Sequence, residues 1–392
     1  MQDVYIVSAV RTPLGSFGGM FASLSAIQLG STAVKGALKT ANVDASKVDE
    51  VLFGCVVQAN LGQAPAKQVS IMAGISPTVP CTTINKVCAS GMKSVMFGAQ
   101  SIMLGHNNIV VTGGMESMSN IPFYFPKARW GNKFGDTLLV DGLNKDGLED
   151  AYDHLAMGTF ADATATKYNI SREEQDAFAI ESYKRSASAT ENGKFKDEII
   201  AVEVPQRKGD PLVISEDEEY KKVKFDKIPL LRPAFTKDGT VTAANASTIN
   251  DGASALILAS KKAVDELGLK PIAKIVSFAD ASGSPEWFTT APTLAAPLAL
   301  KRAGMELSDM DYFEVNEAFA AVTIAFNKEL NVDPSIVNVN GGACSLGHPL
   351  GASGARILTT LNHILKNNDA KFGLATLCNG GGGASAIVIE SV

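Results

Sequence analysis

Segments of this chain recur, in order, some 262 residues apart. Ala37-Leu38-Lys39-Thr40-Ala41 returns as Ala299-Leu300-Lys301-Arg302-Ala303, and at the same shift Ser46 is matched by Ser308 and Asp49 by Asp311. Ala89-Ser90-Gly91-Met92-Lys93 returns as Ala352-Ser353-Gly354-Ala355-Arg356, 263 positions further on. Each half also opens with a strand-like run, Val4-Tyr5-Ile6-Val7 and Ile272-Ala273-Lys274-Ile275-Val276. Any one match is within reach of chance, but their common order and near-constant offset point to duplication. The fold must then be one that two copies of a single plan build together.

Within each half, β-rich runs such as Ile109-Val110-Val111-Thr112-Gly113 alternate with helix-like stretches such as Ser94 to Leu104. That alternation predicts α/β layers, strands covered by helices. Residues 121–250 break the pattern with Phe123-Tyr124-Phe125-Pro126, Trp130, a helical stretch near Arg172–Ser188 and the charged run Glu216 to Lys222. The expected organisation is a first half over 1–120, an inserted, substrate-covering loop domain over 121–250 and a second half over 251–392. With 46% hydrophobic and 19% charged residues the chain suits a well-buried core, and its mild net charge of −6 argues against a nucleic-acid binder. No apolar run is long enough to span a bilayer. The five cysteines, Cys55, Cys81, Cys88, Cys344 and Cys378, are odd in number and irregular in spacing, which reads as reduced thiols and not a disulfide framework. The first residues already read as a strand, leaving no room for a presequence, and Ile389-Glu390-Ser391-Val392 is not a peroxisomal address. A cytoplasmic protein is expected.

Three glycine-flanked segments carry chemistry. In Asn85-Lys86-Val87-Cys88-Ala89-Ser90-Gly91-Met92-Lys93 a cysteine sits between a strand-like and a helix-like run. Unpaired N–H groups and the dipole at a helix start favour the thiolate, so the Cys88 pKa is expected to fall; the commoner fate of a cysteine is that of a small buried apolar residue. In the segment from Gly341 to Gly354, one of only four histidines, His348, is fixed among five glycines. It is placed either for proton transfer or as a hydrogen-bonded structural residue. Cys378-Asn379-Gly380-Gly381-Gly382-Gly383 follows an apolar run, but the strand-turn-helix context of a dinucleotide site is missing because Ile387-Val388-Ile389 looks like another strand. A fourth segment, Glu314-Val315-Asn316-Glu317-Ala318-Phe319-Ala320, is by itself only a helix start with acidic residues.

These four segments, in this order and spacing, resemble the catalytic signatures of the thiolase family, and the likeness runs from Tyr5 to Ile389. The sequence around Cys88 is most similar to the short-chain, acetoacetyl-CoA branch. The resemblance implies an αβαβα layered sandwich of two duplicated halves with an inserted loop domain. It also implies acetyl-CoA C-acetyltransferase activity: two acetyl-CoA molecules give acetoacetyl-CoA and CoA, reversibly, through an acetyl-cysteine. Cys88 matches the nucleophile, and a thioester intermediate keeps acyl transfer from CoA nearly isoenergetic. His348 matches the residue that activates Cys88 and later helps to hold the thioester oxygen. Cys378 matches the acid/base that takes a proton from the second acetyl-CoA. Asn316 matches the side chain that positions a water, which forms one oxyanion hole with His348; the N–H groups of Cys88 and Gly380 match the other.

By the same resemblance Lys222, Val223, Lys224 and Lys227 lie around the adenine and phosphates of CoA, Ser247 contacts the pantetheine and Tyr183 lies near CoA. Four lysines among Lys221, Lys222, Lys224 and Lys227 suit anionic phosphates, although such a run is commonly a solvated loop. Thr242-Ala243-Ala244-Asn245-Ala246-Ser247 resembles the potassium-activated mitochondrial enzyme, which implies ion ligation by carbonyls of Ala243, Ala244, Ala246 and Cys344, with Tyr183. Neither a prosthetic group nor a membrane partner is implied, CoA being substrate and product, and a homotetramer is expected. One departure is that Ala156-Met157-Gly158 stands where many bacterial thiolases have His-Met-Gly; His154, two places away, is not assigned that role. Rival readings are a longer-chain 3-ketoacyl-CoA thiolase, separated by an acyl-chain-length profile, and a catalytically idle acyl-CoA carrier. A decarboxylating ketosynthase is disfavoured because Cys378 stands where those enzymes have a histidine.

Overall fold

The computed structural model describes residues 2–392. Its frame is one large sheet. The main strands are β1 (Val4–Arg11), β2 (Glu50–Gly54), β3 (Cys81–Ile84), β4 (Ile109–Ser117), β5 (Asn250–Ser260), β6 (Ala273–Ser282), β7 (Tyr312–Val315), β8 (Phe372–Asn379) and β9 (Gly383–Ser391). They run in the order β3-β2-β4-β5-β1-β6-β9-β8-β7. Counted outward from the β1–β6 contact, the two sides have one topology. Antiparallel β1–β5–β4 continues in parallel to β2 and β3; antiparallel β6–β9–β8 continues in parallel to β7. A single parallel bridge from Phe313 to Val337 stands where β3 stands in the first half. Even the irregularities match, since the register slips between Ile6 and Ser8 in β1 and between Ile275 and Ser277 in β6. Two copies of one plan meet at antiparallel pairs Tyr5↔Lys274 and Ile6↔Ala273.

Helices make the other layers. α1 (Ala26–Ala41) and α2 (Pro65–Met72) cover the outer face of the first half. α1 starts at a Ser25–Gln28 capping box and ends at Asn42 in the left-handed conformation. Between the sheet halves lie α3 (Ser90–Met103) and α9 (Leu350–Asn367), whose Met92, Val95, Met96, Leu358 and Leu361 share one core with Ile6, Leu258, Ile275 and Leu377. α9 is buried on all sides from Leu350 to Leu365, as a central layer demands. α4 (Met157–Lys167) and α5 (Arg172–Glu191) belong to the excursion between β4 and β5, and the short α6 (Lys261–Leu267) follows β5. α7 (Pro292–Ala303) and α8 (Ala320–Leu330) close the outer face of the second half around Phe313, Phe326 and Val388. The stack is αβαβα. No helix among the described residues is long and apolar enough to cross a membrane.

The expected boundary at 251 moves. Strand β5, buried at all of its positions, lies between β1 and β4 and so completes the first half; the second copy starts with β6. The excursion from β4 to β5 also carries two small hairpins, Phe123–Tyr124 with Val140–Asp141 and Val202–Val204 with Leu212–Ile214.

Candidate active site

Cys88 sits in the turn from β3 into α3. The turn is wired by side chains: Asn85 donates from Nδ2 to the Val56 carbonyl (3.2 Å) and accepts the Val87 N–H (2.9 Å). Val87 has φ of 49°, a left-handed conformation costly for a β-branched residue, held here by the surrounding bonds. Cys88 is half-buried beside Val56, Leu143 and Leu350. Burial pushes its thiol up to about 11; N–H groups of Gly380 and of Cys88 itself pull the other way, and the Glu116 charge adds to the rise. The expected fall in pKa is therefore overturned. Loss of hydration outweighs the helix start, and Cys88 rests as a thiol that needs a base.

His348 is 5% exposed and lines the main cavity. Asn250, at the start of β5, accepts its backbone N–H (2.9 Å), while Nδ1 lies 2.6 Å from Ser353 Oγ. Nε2 is buried and has no protein partner among the described residues. Burial, and then the Arg356 charge, pushes the ring down to about 3, so it is neutral at ordinary pH and able to accept a proton.

Cys378, near the end of β8, packs with Phe160, Phe288, Phe319 and Met157. Burial drives its thiol far up, and the charge that Cys88 would carry is the next contributor. Gly380 faces the Cys88 turn: a Cβ there would lie 3.5 Å from Met157 Cε and 3.6 Å from Val87 Cγ1. Asn316 follows β7, and both polar atoms of its amide are buried without a protein partner among the described residues. Residues from both halves thus meet at one point. Lys86 ties them, donating across to Asp280 (2.9 Å), Asn379 (3.3 Å) and Ser385 (2.8 Å), while Lys93 donates to the same Asp280 (2.6 Å). Burial opposes ionisation of Asp280, but hydrogen bonds from Lys93, Ser385 and Lys86 prevail and hold it at about 2.

A cavity of about 570 Å³ leads to this point, walled by Met157, Phe235, Phe319, Ser247 and Leu350 with Lys222 at its charged end. The lysine run is less free than its sequence implies. Lys222 pairs with Glu218 (2.7 Å), Lys221 with Glu216 (2.5 Å) and Lys227 with Asp226 (3.6 Å); Lys224 has no acidic partner among the described residues. Val223 is half-buried between them. Tyr183 is buried, and its hydroxyl is driven up by burial and then by the charges of Cys344, Glu219 and Glu317. The carbonyls of Ala243, Ala244, Ala246 and Cys344 accept no hydrogen bond among the described residues. Unengaged carbonyl oxygens are the ligand type that a hard monovalent cation takes. His154 is exposed and paired with Glu149 (3.2 Å), while Ala156 and Met157 line the cavity. Sequence reasoning missed Ser353, Asn250, Glu116 and the Lys86–Asp280 tie. Of these, only Ser353 left a signal, as the repeat of Ser90.

The two family models that match describe the thiolase N-terminal domain, over residues 4–262, and the thiolase C-terminal domain, over 269–391. The acetyl-CoA acetyltransferase of Schizosaccharomyces pombe is 58% identical, covering 100% of this chain and 99% of that protein. The one from Saccharomyces cerevisiae is 53% identical, with 100% of both covered. Among solved structures, the Acat5 thiolase of Ascaris suum in complex with coenzyme A superposes with a TM-score of 0.95 at 49% identity, covering all of both chains. The Bacillus anthracis acetyl-CoA acetyltransferase superposes at 0.98 with 38% identity, covering 100% of this chain and 99% of that one. With its duplicated layers, its paired thiols and relatives matching from end to end, this chain belongs to the thiolase family.

Proposed function

We propose that this protein is an acetyl-CoA C-acetyltransferase that joins two acetyl-CoA molecules into acetoacetyl-CoA and CoA, and runs the reverse thiolysis. The observation that carries the reading is a neutral, buried His348 with Nε2 free on the wall of a cavity whose Leu350, Phe319 and Met157 also belong to the clusters that hold Cys88 and Cys378. In the first half-reaction Nε2 takes the Cys88 proton, and the thiolate attacks the acetyl carbonyl. N–H groups of Cys88 and Gly380 hold the oxyanion. CoA leaves with a proton from Cys378. The Cys378 thiolate then takes a methyl proton from the second acetyl-CoA, and the enolate oxygen is held by the imidazolium Nε2–H and a water placed by Asn316. The new carbanion attacks acetyl-Cys88, and the expelled Cys88 thiolate recovers its proton from His348. The Cys88 proton thus returns to Cys88, while the proton that Cys378 gives to CoA is replaced by the one it takes from the methyl group. Thiolate and imidazolium stabilise each other once formed, so resting values of about 11 and about 3 describe the neutral pair, not the reacting one.

CoA would lie along the Met157–Phe319 wall, pantetheine by Ser247, with its phosphates toward Lys222 and Lys224. A potassium ion would be held by the carbonyls of Ala243, Ala244, Ala246 and Cys344 with Tyr183, stiffening the CoA-facing loops. Exposed Phe123, Trp130, Phe134 and Leu138 in the excursion support self-association, here read as a homotetramer. Two thiols that must stay reduced suit the cytoplasm. The test is thiolysis of C4 to C16 3-ketoacyl-CoA substrates, with peptide mass mapping after brief exposure to acetyl-CoA. Turnover concentrated at C4 and an acetyl group on Cys88 are expected. A preference for long chains makes it a longer-chain thiolase, no turnover makes it an idle carrier, and a label on Cys378 with Cys88 free reverses the roles of the two thiols.

A further inference from the structure

Ser353 lies between two groups and has one hydrogen to give. Its Oγ is 2.6 Å from His348 Nδ1 and 2.8 Å from the carbonyl of Pro349. If the hydroxyl donates to the ring, the ring proton sits on Nε2, which then cannot take another from Cys88 without a change of tautomer. If it donates to Pro349, Nδ1 carries the proton and Nε2 is bare.

The chain contains its own control. Ser90 occupies the position matching Ser353 in the repeated Ala-Ser-Gly segments. Ser90 Oγ lies 2.8 Å from the backbone N–H of Lys86 and 2.6 Å from the carbonyl of Val87. A backbone N–H only donates, so Ser90 must accept from it and give its own hydrogen to the carbonyl. Both serines sit in the first turn of a central helix, α3 or α9, and both point back at the carbonyl of the entering turn. In the second copy the imidazole Nδ1 stands where the first copy has the Lys86 N–H.

We propose that Ser353 is a positioning residue: it donates to Pro349, accepts from Nδ1–H of His348, and so keeps Nε2 bare for the Cys88 proton. When Nε2 gains that proton, Nδ1–H still has an acceptor. Without one, the imidazolium would be buried with an unsatisfied donor, beside Arg356, which is itself buried and bonded to Glu314 (3.4 Å). The inference rests on the reading of His348 as the base, but its first test does not.

Nitrogen-15 spectra of the histidine-labelled full-length protein, with His348→Asn used to identify the signal among four histidines, report the tautomer directly. A resting ring protonated on Nδ1 is expected; one protonated on Nε2 overturns the proposal whatever any variant does. Ser353→Ala is expected to lower kcat by roughly 10–100-fold with KM for CoA unchanged, as loss of an orienting partner does in comparable proton-transfer sites. Ser353→Thr, which keeps the hydroxyl, is expected to restore kcat to within a few-fold. Equal kcat in the alanine variant and the wild type refutes the role of Ser353. Rapid acetylation of Cys88 in His348→Asn would instead refute the base, leaving the tautomer result standing.

Discussion

Both catalytic turns lean on one buried carboxylate. Glu116, at the end of β4, accepts the Val56 N–H (3.0 Å) and the Gly351 N–H (2.9 Å) on Oε2, and the Val57 N–H (3.2 Å) on Oε1, with the Cys55 thiol 3.8 Å away. Val56 is the residue that Asn85 grips on the Cys88 side, and Gly351 opens α9 just after His348. Two effects compete. Burial raises the pKa, while N–H bonds lower it, and two or three such bonds alone can take a carboxylate below about 2. Here burial wins, and Glu116 rises from its ordinary 4.5 to about 7. Glu116→Gln puts an NH2 where an oxygen stood. If the amide oxygen keeps Val56 and Gly351, the Val57 N–H loses its acceptor, at about 1–3 kcal/mol. A protonated carboxyl does not have this defect, because both its oxygens still accept and its O–H faces Cys55. The cost must therefore vary with pH. With the folded pKa raised, the contribution of this carboxyl is fully present below about 4.5 and is lost as pH rises through about 7. That loss amounts to about 3 kcal/mol at 1.36 kcal/mol per pH unit. The glutamine does not titrate. Urea unfolding of both proteins from pH 5 to pH 8, read as a difference so that other groups cancel, should show the variant weakest near pH 5 and the gap closing by up to about 3 kcal/mol. A gap that widens with pH would mean that the N–H bonds outweigh burial, and the argument would be wrong.

Three further outcomes are expected. Cys378→Ser should still acetylate Cys88, seen by peptide mapping, but lose condensation by about 10²-fold or more, because an alcohol is a poor acceptor for a carbon-bound proton; near-normal condensation removes Cys378 from that role. Lys224→Gln should raise KM for CoA about 5-fold with kcat intact, whereas Lys222→Gln, already paired with Glu218, should do less; the opposite order would show that the Glu218 pair opens for the ligand. Thiolysis should run faster in potassium chloride than in sodium chloride at equal ionic strength, and equal rates would discard the ion.

What the sequence disclosed follows the range of the interactions involved. The candidate residues Cys88, His348, Cys378 and Gly380 sit in short glycine-bounded segments and Asn316 before a helix start, patterns that are local in sequence, and the repeat exposed the paired layers. The direction of the Cys88 pKa was not legible, because a helix start is visible in a few residues whereas burial depends on the whole packed stack. The ion pairs of the lysine run were hidden for a related reason. Its acids lie in the same stretch, but nothing local says that Glu218 turns back to Lys222 while Asp217, one place earlier, is drawn into the interior by Arg11 (2.7 Å), 206 residues away. Strand β5 was given to the wrong half because strand partnership is decided across long stretches of chain, and its neighbours β1 and β4 are both remote in sequence.

The first turns of α3 and α9 are pressed against each other by glycines that the repeat sets in matching places. A Cβ on Gly91 would fall 2.8 Å from the Gly351 carbonyl and 2.9 Å from the Ala355 nitrogen; one on Gly354 would fall 2.6 Å from the Met92 nitrogen. Each helix start bears about half a positive charge. Bringing two so close costs on the order of 1 kcal/mol at a protein-like dielectric. That repulsion is relieved by negative charge at the junction, such as Glu116 when ionised, which accepts the Gly351 N–H in the first turn of α9 (2.9 Å). A pair of separate, identical subunits would have to spend such a junction on two equivalent centres. Fused into one chain, the copies were free to diverge: under the proposed function one supplies the nucleophile and the other the proton carriers, so that the combined field of both helices serves a single reaction.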